Sequence, residues 1–209
     1  MSDLKLRSFF RSSASWRVRI ALNIKGLSYK TMPVNIRTGE HREAPYIDAN
    51  PGGLVPALEI DGRVISQSLA IIEYIEETHP TPALLPADPF EKARIRAVAQ
   101  HIACEIHPLN NLRVLDYLKL NLRMPDTTEW YGHWITEGFQ AVEELVEGPD
   151  YCFGGGVSLA DVALVPQVGN AVRFNVDLKR FPKLTRINRH LEALDVFRVA
   201  SPETQPDRV

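Results

Sequence analysis

Residues 50–80, NPGGLVPALEIDGRVISQSLAIIEYIEETHP, hold the punctuation from which the first half of the chain can be parsed. The Asn-Pro and Gly-Gly pairs mark a loop, and VPALEI resumes an extended run. An Asp-Gly turn folds IDGRVI back as a hairpin. Serines suited to a cap then open a helix that carries Leu69, Ile72, Tyr74 and Ile75 and ends before Pro80. Working back toward the N-terminus, residues 41–49 fit a short helix. LSYKTMPVNI, after the helix-stopping Gly26, has strand composition. Val18, Ala21 and Leu22 give the preceding segment an apolar face at helical spacing, and LKLRSFF before it is strand-like. The order is βαβ, a loop, ββ, α.

Working forward, HPTPALLPADP carries four prolines and has the composition of a linker. Beyond it the pattern is helical only. Asp88 and Pro89 suit the N-cap and first turn of a long helix with Ile95, Val98, Ile102 and Ile106 on one face, and Pro108 should end or kink it. Further helical stretches are NNLRVLDYLKLNL, WYGHWITEGFQAVEELVE, LADVALVPQVGNAVRF and LTRINRHLEALDVFRVA. The expected division is an α/β domain over 1–81, a linker over 82–86 and an all-α domain over 87–209.

A length of 209 residues allows one good core or two small domains. With 44% hydrophobic residues, 24% charged residues and a formal net charge of -2, nothing suggests a nucleic-acid binder or a disordered tail. The two cysteines, Cys104 and Cys152, match neither a C-x-x-C nor a zinc spacing and are too few for a disulfide framework. We therefore expect no metal and a reducing, cytoplasmic setting. MSDLKLRSFF has charges inside a short mixed stretch, so neither export nor a membrane span is expected.

The segment RSSASWRVRIAL, residues 11–22, sets three serines and three arginines around a helix start. One serine satisfies a cap, so the remaining hydroxyls call for a ligand. Together with SSASWRVRIALNIKG, the stretches NPGGLVPALEIDG, QSLAIIEYIEE, HPLNNLRVL, SLADVALVPQVGNAVRFNVDL and the closing QPD resemble the zeta class of glutathione transferases, and within it the bacterial maleylacetoacetate isomerases. The similarity runs in order over essentially the whole chain. It implies a thioredoxin-like N-terminal domain, a helical C-terminal domain, a homodimer, and glutathione bound between the domains.

A glutathione thiol has a pKa of roughly 8.5, and lowering it by about two takes approximately 2.7 kcal/mol of preference for the thiolate. A helix N-terminus contributes about 0.3 to 1 kcal/mol, and a hydrogen bond to a charged group roughly 1.5 to 3. One hydroxyl plus the helix end is enough. The resemblance makes Ser12 the thiolate-stabilising residue, with Ser13, Ala14 and Ser15 completing the pocket, although a pure capping role is an equal alternative for Ser13. Ala14 stands where the class usually carries cysteine. Because the attacking sulfur is glutathione's own, isomerisation should not depend on that cysteine.

The same resemblance implies a cis Pro56 that exposes the backbone of Val55 to the cysteinyl part of glutathione. It places the γ-glutamyl carboxylate on Gln67 and Ser68 at a helix start, the glycyl end near His41, and His107 and Asn111 close to glutathione. The substrate is a dicarboxylate, and arginine forks hold carboxylates best, which singles out Arg11, Arg113 and Arg173. Ser158 and Asp161 have capping-box spacing, so Asp161 is expected to be structural. The implied activity is glutathione-dependent conversion of maleylacetoacetate to fumarylacetoacetate by reversible thiolate addition, in phenylalanine and tyrosine catabolism. Ser12, Ser13 and Arg173 would carry the catalysis. Maleylpyruvate isomerisation, a general glutathione transferase or peroxidase activity, and a non-enzymatic binding or assembly role are the alternatives.

Overall fold

The computed structural model describes residues 3–208. Its packing divides into two units, one running through Ala83 and resuming at Leu194, the other spanning Leu84–Ala193.

The first unit is built on a four-stranded sheet in the order β2-β1-β3-β4. Strands β1 (Leu4–Ser8) and β2 (Lys30–Pro33) are parallel, while β3 (Ala57–Ile60) and β4 (Arg63–Ser66) join antiparallel. Leu6 faces Leu58 across the β1–β3 ladder, and both are fully buried. Parallel neighbours need a crossover, which α1 (Ser13–Ile24) supplies. It ends at Gly26, where φ is +64° and the Leu27 N–H closes onto the Leu22 carbonyl. The hairpin between β3 and β4 turns through Asp61 and Gly62, both at positive φ, as the Asp-Gly signal required. A 3-10 turn (Glu40–Arg42) and α2 (Ala44–Ala49) fill the 41–49 region, and α3 (Ser68–Thr78) packs against α1. Strand order and crossover make this a thioredoxin-like domain.

Three basic side chains lie inside this unit. Arg17 and Arg19 of α1 are almost wholly buried. Lys25, at the end of α1, donates from Nζ to Glu76 Oε2 and to the Pro82 carbonyl, each at 2.5 Å. These bonds tie α1 to α3 and to the chain leaving it.

The second unit is entirely helical among its described elements. Asp88 caps α4 (Pro89–Gln100), accepting the Glu91 N–H at 2.9 Å. The single helix expected up to Pro108 changes earlier, at His101, where a π-helical turn (His101–Ile106) is followed by a 3-10 turn (His107–Asn110). Helices α5 (Leu112–Asn121), α6 (Thr128–Leu145), α7 (Leu159–Arg173) and α8 (Pro182–Glu192) follow. Gly138 of α6 lets the π-turn pack closely, because a Cβ there would lie 2.2 Å from Ile106 Cγ1. Buried on nearly every face, α7 is the core helix of the unit. Its start is the capping box that the spacing indicated. Asp161 accepts from the Ser158 N–H at 2.8 Å, the Ser158 hydroxyl at 2.6 Å and the Cys152 N–H at 2.7 Å.

One expected helix is in fact two. LTRINRHLEALDVFRVA breaks at Leu194, whose extended backbone (φ -78°, ψ 132°) separates α8 from α9 (Asp195–Arg198). The second piece belongs to the first unit. Asn23 Nδ2 donates to the Val196 carbonyl at 3.1 Å, Arg19 Nε donates to Ala200 at 2.8 Å, and Phe197 is buried. These tertiary partners override the local helical pattern. No described helix is long and apolar enough to cross a membrane.

Candidate functional site

Ser12 is the N-cap of α1, with an extended backbone (φ -68°, ψ 116°) and an Oγ that accepts the Ser15 N–H at 3.2 Å. A hydroxyl that accepts still has its own proton to donate. Thus the surplus hydrogen-bonding capacity belongs to the capping residue itself. Ser13 is the first helical residue and is buried, so capping is not its role, and Ala14 follows, also buried. Ser15 has no exposed surface and its Oγ makes no hydrogen bond, so its visible contribution is the N–H it gives to Ser12. Arg11, beside them, is exposed, with its guanidinium 5.9 Å from the Phe10 ring centroid.

The Val55–Pro56 peptide is cis. Neither the N–H nor the C=O of Val55 takes a backbone partner among the described residues. The residue before it is firmly gripped, since the Leu54 carbonyl accepts from the Tyr46 hydroxyl at 2.6 Å and from Asn50 Nδ2 at 2.7 Å. Both donors are buried, and burial pushes the Tyr46 phenol pKa upward. Sequence patterns gave Tyr46 and Asn50 no such role. Asn50 was visible only as the first residue of a loop, and the distance it spans is set by α2.

Gln67 occupies the N-cap position of α3, at φ +71° and ψ 118°, and no side chain caps the helix. This corrects the expectation of a serine cap. Ser68 is the first helical residue, buried, and its Oγ accepts from Arg17 Nη1 at 3.4 Å. A helix start without a side-chain cap, beside a buried guanidinium, is suited to an anion. A left-sided φ on a non-glycine residue is strain of the kind retained at binding sites. The sequence did contain a hint of Arg17, which lies four residues before Ala21 and therefore on the face expected to be apolar. His41 is buried in the 3-10 turn of the same unit.

The remaining candidates lie in the second unit. His107 opens the 3-10 turn, and Asn111 caps α5 by accepting the Arg113 N–H at 3.1 Å, leaving the Arg113 side chain exposed. Arg173 ends α7, exposed. Its Nη2 donates to the Tyr131 hydroxyl at 3.3 Å, and its guanidinium lies 4.9 Å from the Phe174 ring centroid. That ring stacks on Tyr131 at 3.5 Å and 9°. Burial raises the Tyr131 hydroxyl pKa, with Arg173 opposing the shift. Tyr131 was not identified from sequence, because in α6 it reads only as an apolar-face aromatic. Among the described residues no group of three or more His, Cys, Asp or Glu could hold a metal ion.

Ser12 at the start of α1, the Val55 backbone and the start of α3 thus offer, within one unit, a donor for an anion, a donor–acceptor pair for a peptide and a helix end for a carboxylate. These are the three chemistries of a thiol tripeptide such as glutathione.

Residues 11–78 match the family Glutathione S-transferase, N-terminal domain. A probable maleylacetoacetate isomerase of Vibrio cholerae is 48% identical, with 99% of each chain covered. Among solved structures, holo maleyl pyruvate isomerase, a bacterial zeta-class glutathione transferase, aligns with a TM-score of 0.95 at 44% identity, covering 98% of this chain and 100% of that one. Maleylacetoacetate isomerase of Anaeromyxobacter dehalogenans with glutathione bound aligns with a TM-score of 0.91 at 40% identity, covering 100% and 99%. The chain belongs to the zeta class of glutathione transferases, in the family of the maleylacetoacetate isomerases.

Proposed function

We propose that this chain is a glutathione-dependent cis–trans isomerase that converts maleylacetoacetate to fumarylacetoacetate. The observation that carries the reading is Ser12, which caps α1 through its oxygen and keeps its O–H to donate. Glutathione, when bound, supplies the sulfur whose reversible addition to the cis double bond permits rotation before elimination. The chain's own residues hold and orient. Ser12 donates to the sulfur at the positive end of α1, which favours the thiolate. Val55 pairs through its backbone with the cysteinyl peptide, Gln67 and Ser68 receive the γ-glutamyl carboxylate at the start of α3, and His41, His107 and Asn111 complete the tripeptide contacts. Arg11, Arg113 and Arg173 take the carboxylates of the diacid, with Arg173 held by Tyr131 for this task. Such positioning and fixed charge are the main sources of rate for a reaction of this kind.

Maleylpyruvate is a second substrate of the same chemistry, and the similarity to a maleyl pyruvate isomerase favours testing it in parallel. The same reading takes the protein to be a cytoplasmic homodimer acting in aromatic amino-acid catabolism. Retention on immobilised glutathione, followed by ultraviolet assays on both cis diacids with and without added glutathione, is the test. We expect glutathione-dependent turnover, faster with maleylacetoacetate. Retention without turnover of either diacid would assign the fold to binding alone.

A further inference from the structure

We propose that Asp207, in the QPD stretch at residues 205–207, is a positioning residue that fixes the backbone turn presenting the Ser12 hydroxyl. The inference rests on the thiolate-stabilising reading of Ser12 and adds the device that holds it in place.

The turn into α1 is short. Ser12 donates its N–H to the Phe9 carbonyl at 3.0 Å, so the orientation of the Phe10 peptides decides where Ser12 points. Phe10 is gripped at both of its backbone groups. Its N–H donates to Asp207 Oδ2 at 2.9 Å, and its carbonyl accepts from Arg19 Nη2 at 2.9 Å. The two grips come from opposite ends of the chain and are joined through the tail. Arg19 also donates from Nε to the Ala200 carbonyl at 2.8 Å and from Nη1 to Ser8 Oγ at 3.3 Å. Arg19 is fully buried, and desolvation pushes its pKa down to about 10, which still leaves it charged at neutral pH.

The rest of the motif delivers the carboxylate. Gln205 is buried and donates from Nε2 to the Ser201 carbonyl at 2.9 Å and the Val199 carbonyl at 3.1 Å. This closes the tail into a compact turn after α9 and carries Asp207 to the Phe10 N–H. Phe9 and Phe10 are themselves buried, with their rings edge to face at 4.8 Å, so the turn has little freedom to find another partner. An amide held by a carboxylate is a charge-assisted bond, stronger than a neutral one. Losing it would free the peptide two residues before Ser12. Loosening by a fraction of an ångström is enough to weaken a hydrogen bond to sulfur.

The test compares wild type, Asp207→Ala, Ser12→Ala and the double variant, reading thiolate absorbance of bound glutathione and turnover across pH. We expect Asp207→Ala to lower turnover at pH 7 by roughly three- to tenfold, with recovery at higher pH, as for a thiol whose ionisation has become harder. Asp207→Asn keeps an oxygen acceptor and should recover most of that loss. In the Ser12→Ala background, Asp207→Ala should add no further displacement of the pH profile, because its effect passes through Ser12. A wild-type pH profile in folded Asp207→Ala, or a full additional loss in the double variant, would overturn the inference while leaving Ser12 in place. A wild-type profile in Ser12→Ala would overturn both readings. If Asp207→Ala does not fold, Asp207→Glu carries the same test: a carboxylate displaced by one methylene should move the profile, and an unmoved profile counts against the assignment.

Discussion

The start of α1 and the end of α7 are held in contrasting ways. Around Ser12 the constraints act on backbone, with half-buried Asp207 and buried Arg19 on the two sides of Phe10, and buried Tyr46 and Asn50 on Leu54. Around Arg173 they act on an exposed side chain and amount to one bond of 3.3 Å to Tyr131 and a ring stack. A group that must shift a thiol pKa gains from being fixed before the ligand arrives, because no reorganisation is then left to the reaction. A long side chain that must meet a flexible diacid gains from freedom, at a cost in rotamer entropy when it binds. With the roles proposed for Ser12 and Arg173, this contrast would let the thiol end set whether the reaction runs at neutral pH and the arginine end set which diacid is accepted.

The largest expected effect would break the rigid side of the contrast. Ser12→Ala should lower turnover at pH 7 by roughly twenty-five-fold if the thiol pKa returns from about 6.5 to about 8.5, and activity should return as pH rises toward the new pKa. Thiolate absorbance of bound glutathione checks the cause directly. The variant also loses a helix cap, worth about 1 kcal/mol, so Ser12→Thr, which keeps the hydroxyl, should retain both the fold and most of the activity. Equal turnover of Ser12→Ala and wild type at every pH would show the hydroxyl to be only a cap.

On the adaptable side, Arg173→Lys keeps the charge but loses the fork, and should reduce turnover efficiency with the diacid by about tenfold. Arg173→Ala should fall further, and glutathione affinity should barely change in either. Loss of glutathione binding with normal isomerisation at saturating glutathione would move Arg173 to the other half of the site. The smallest effect should come from Tyr131→Phe, which keeps the ring stack on Phe174 and removes one hydrogen bond of about 0.5 to 1.5 kcal/mol. We expect a two- to threefold rise in KM for the diacid with kcat nearly unchanged. A loss as deep as that of Arg173→Lys would show that this arginine is as tightly positioned as Ser12, and the contrast would fail.

Parts of the site were legible as residue types in order. The Ser12 cap before an apolar helical face and the Ser158–Asp161 spacing are local patterns that lie where the spacing indicated, whereas the cis Pro56 followed only from the family resemblance. What could not be read locally is which residue of a pattern does which job. The N-cap position of α3 falls to Gln67, at positive φ and with no side-chain cap, rather than to a serine. Ser15 looks like a third ligand hydroxyl in sequence, yet its place in the helical turn buries it.

Periodicity, turn chemistry and capping act over a few residues, and they alone determine the βαβ–ββα order, the proline-rich passage into the helical half and the candidate residues at helix starts. The tertiary structure decided the long-range partners. It sent the last helix back to the first unit, buried Arg17 and Arg19 instead of exposing them, and set Asp207 on Phe10 across 197 residues of sequence. A buried charge is tolerable only where distant segments bring enough acceptors to it, and no local pattern records which segments those will be.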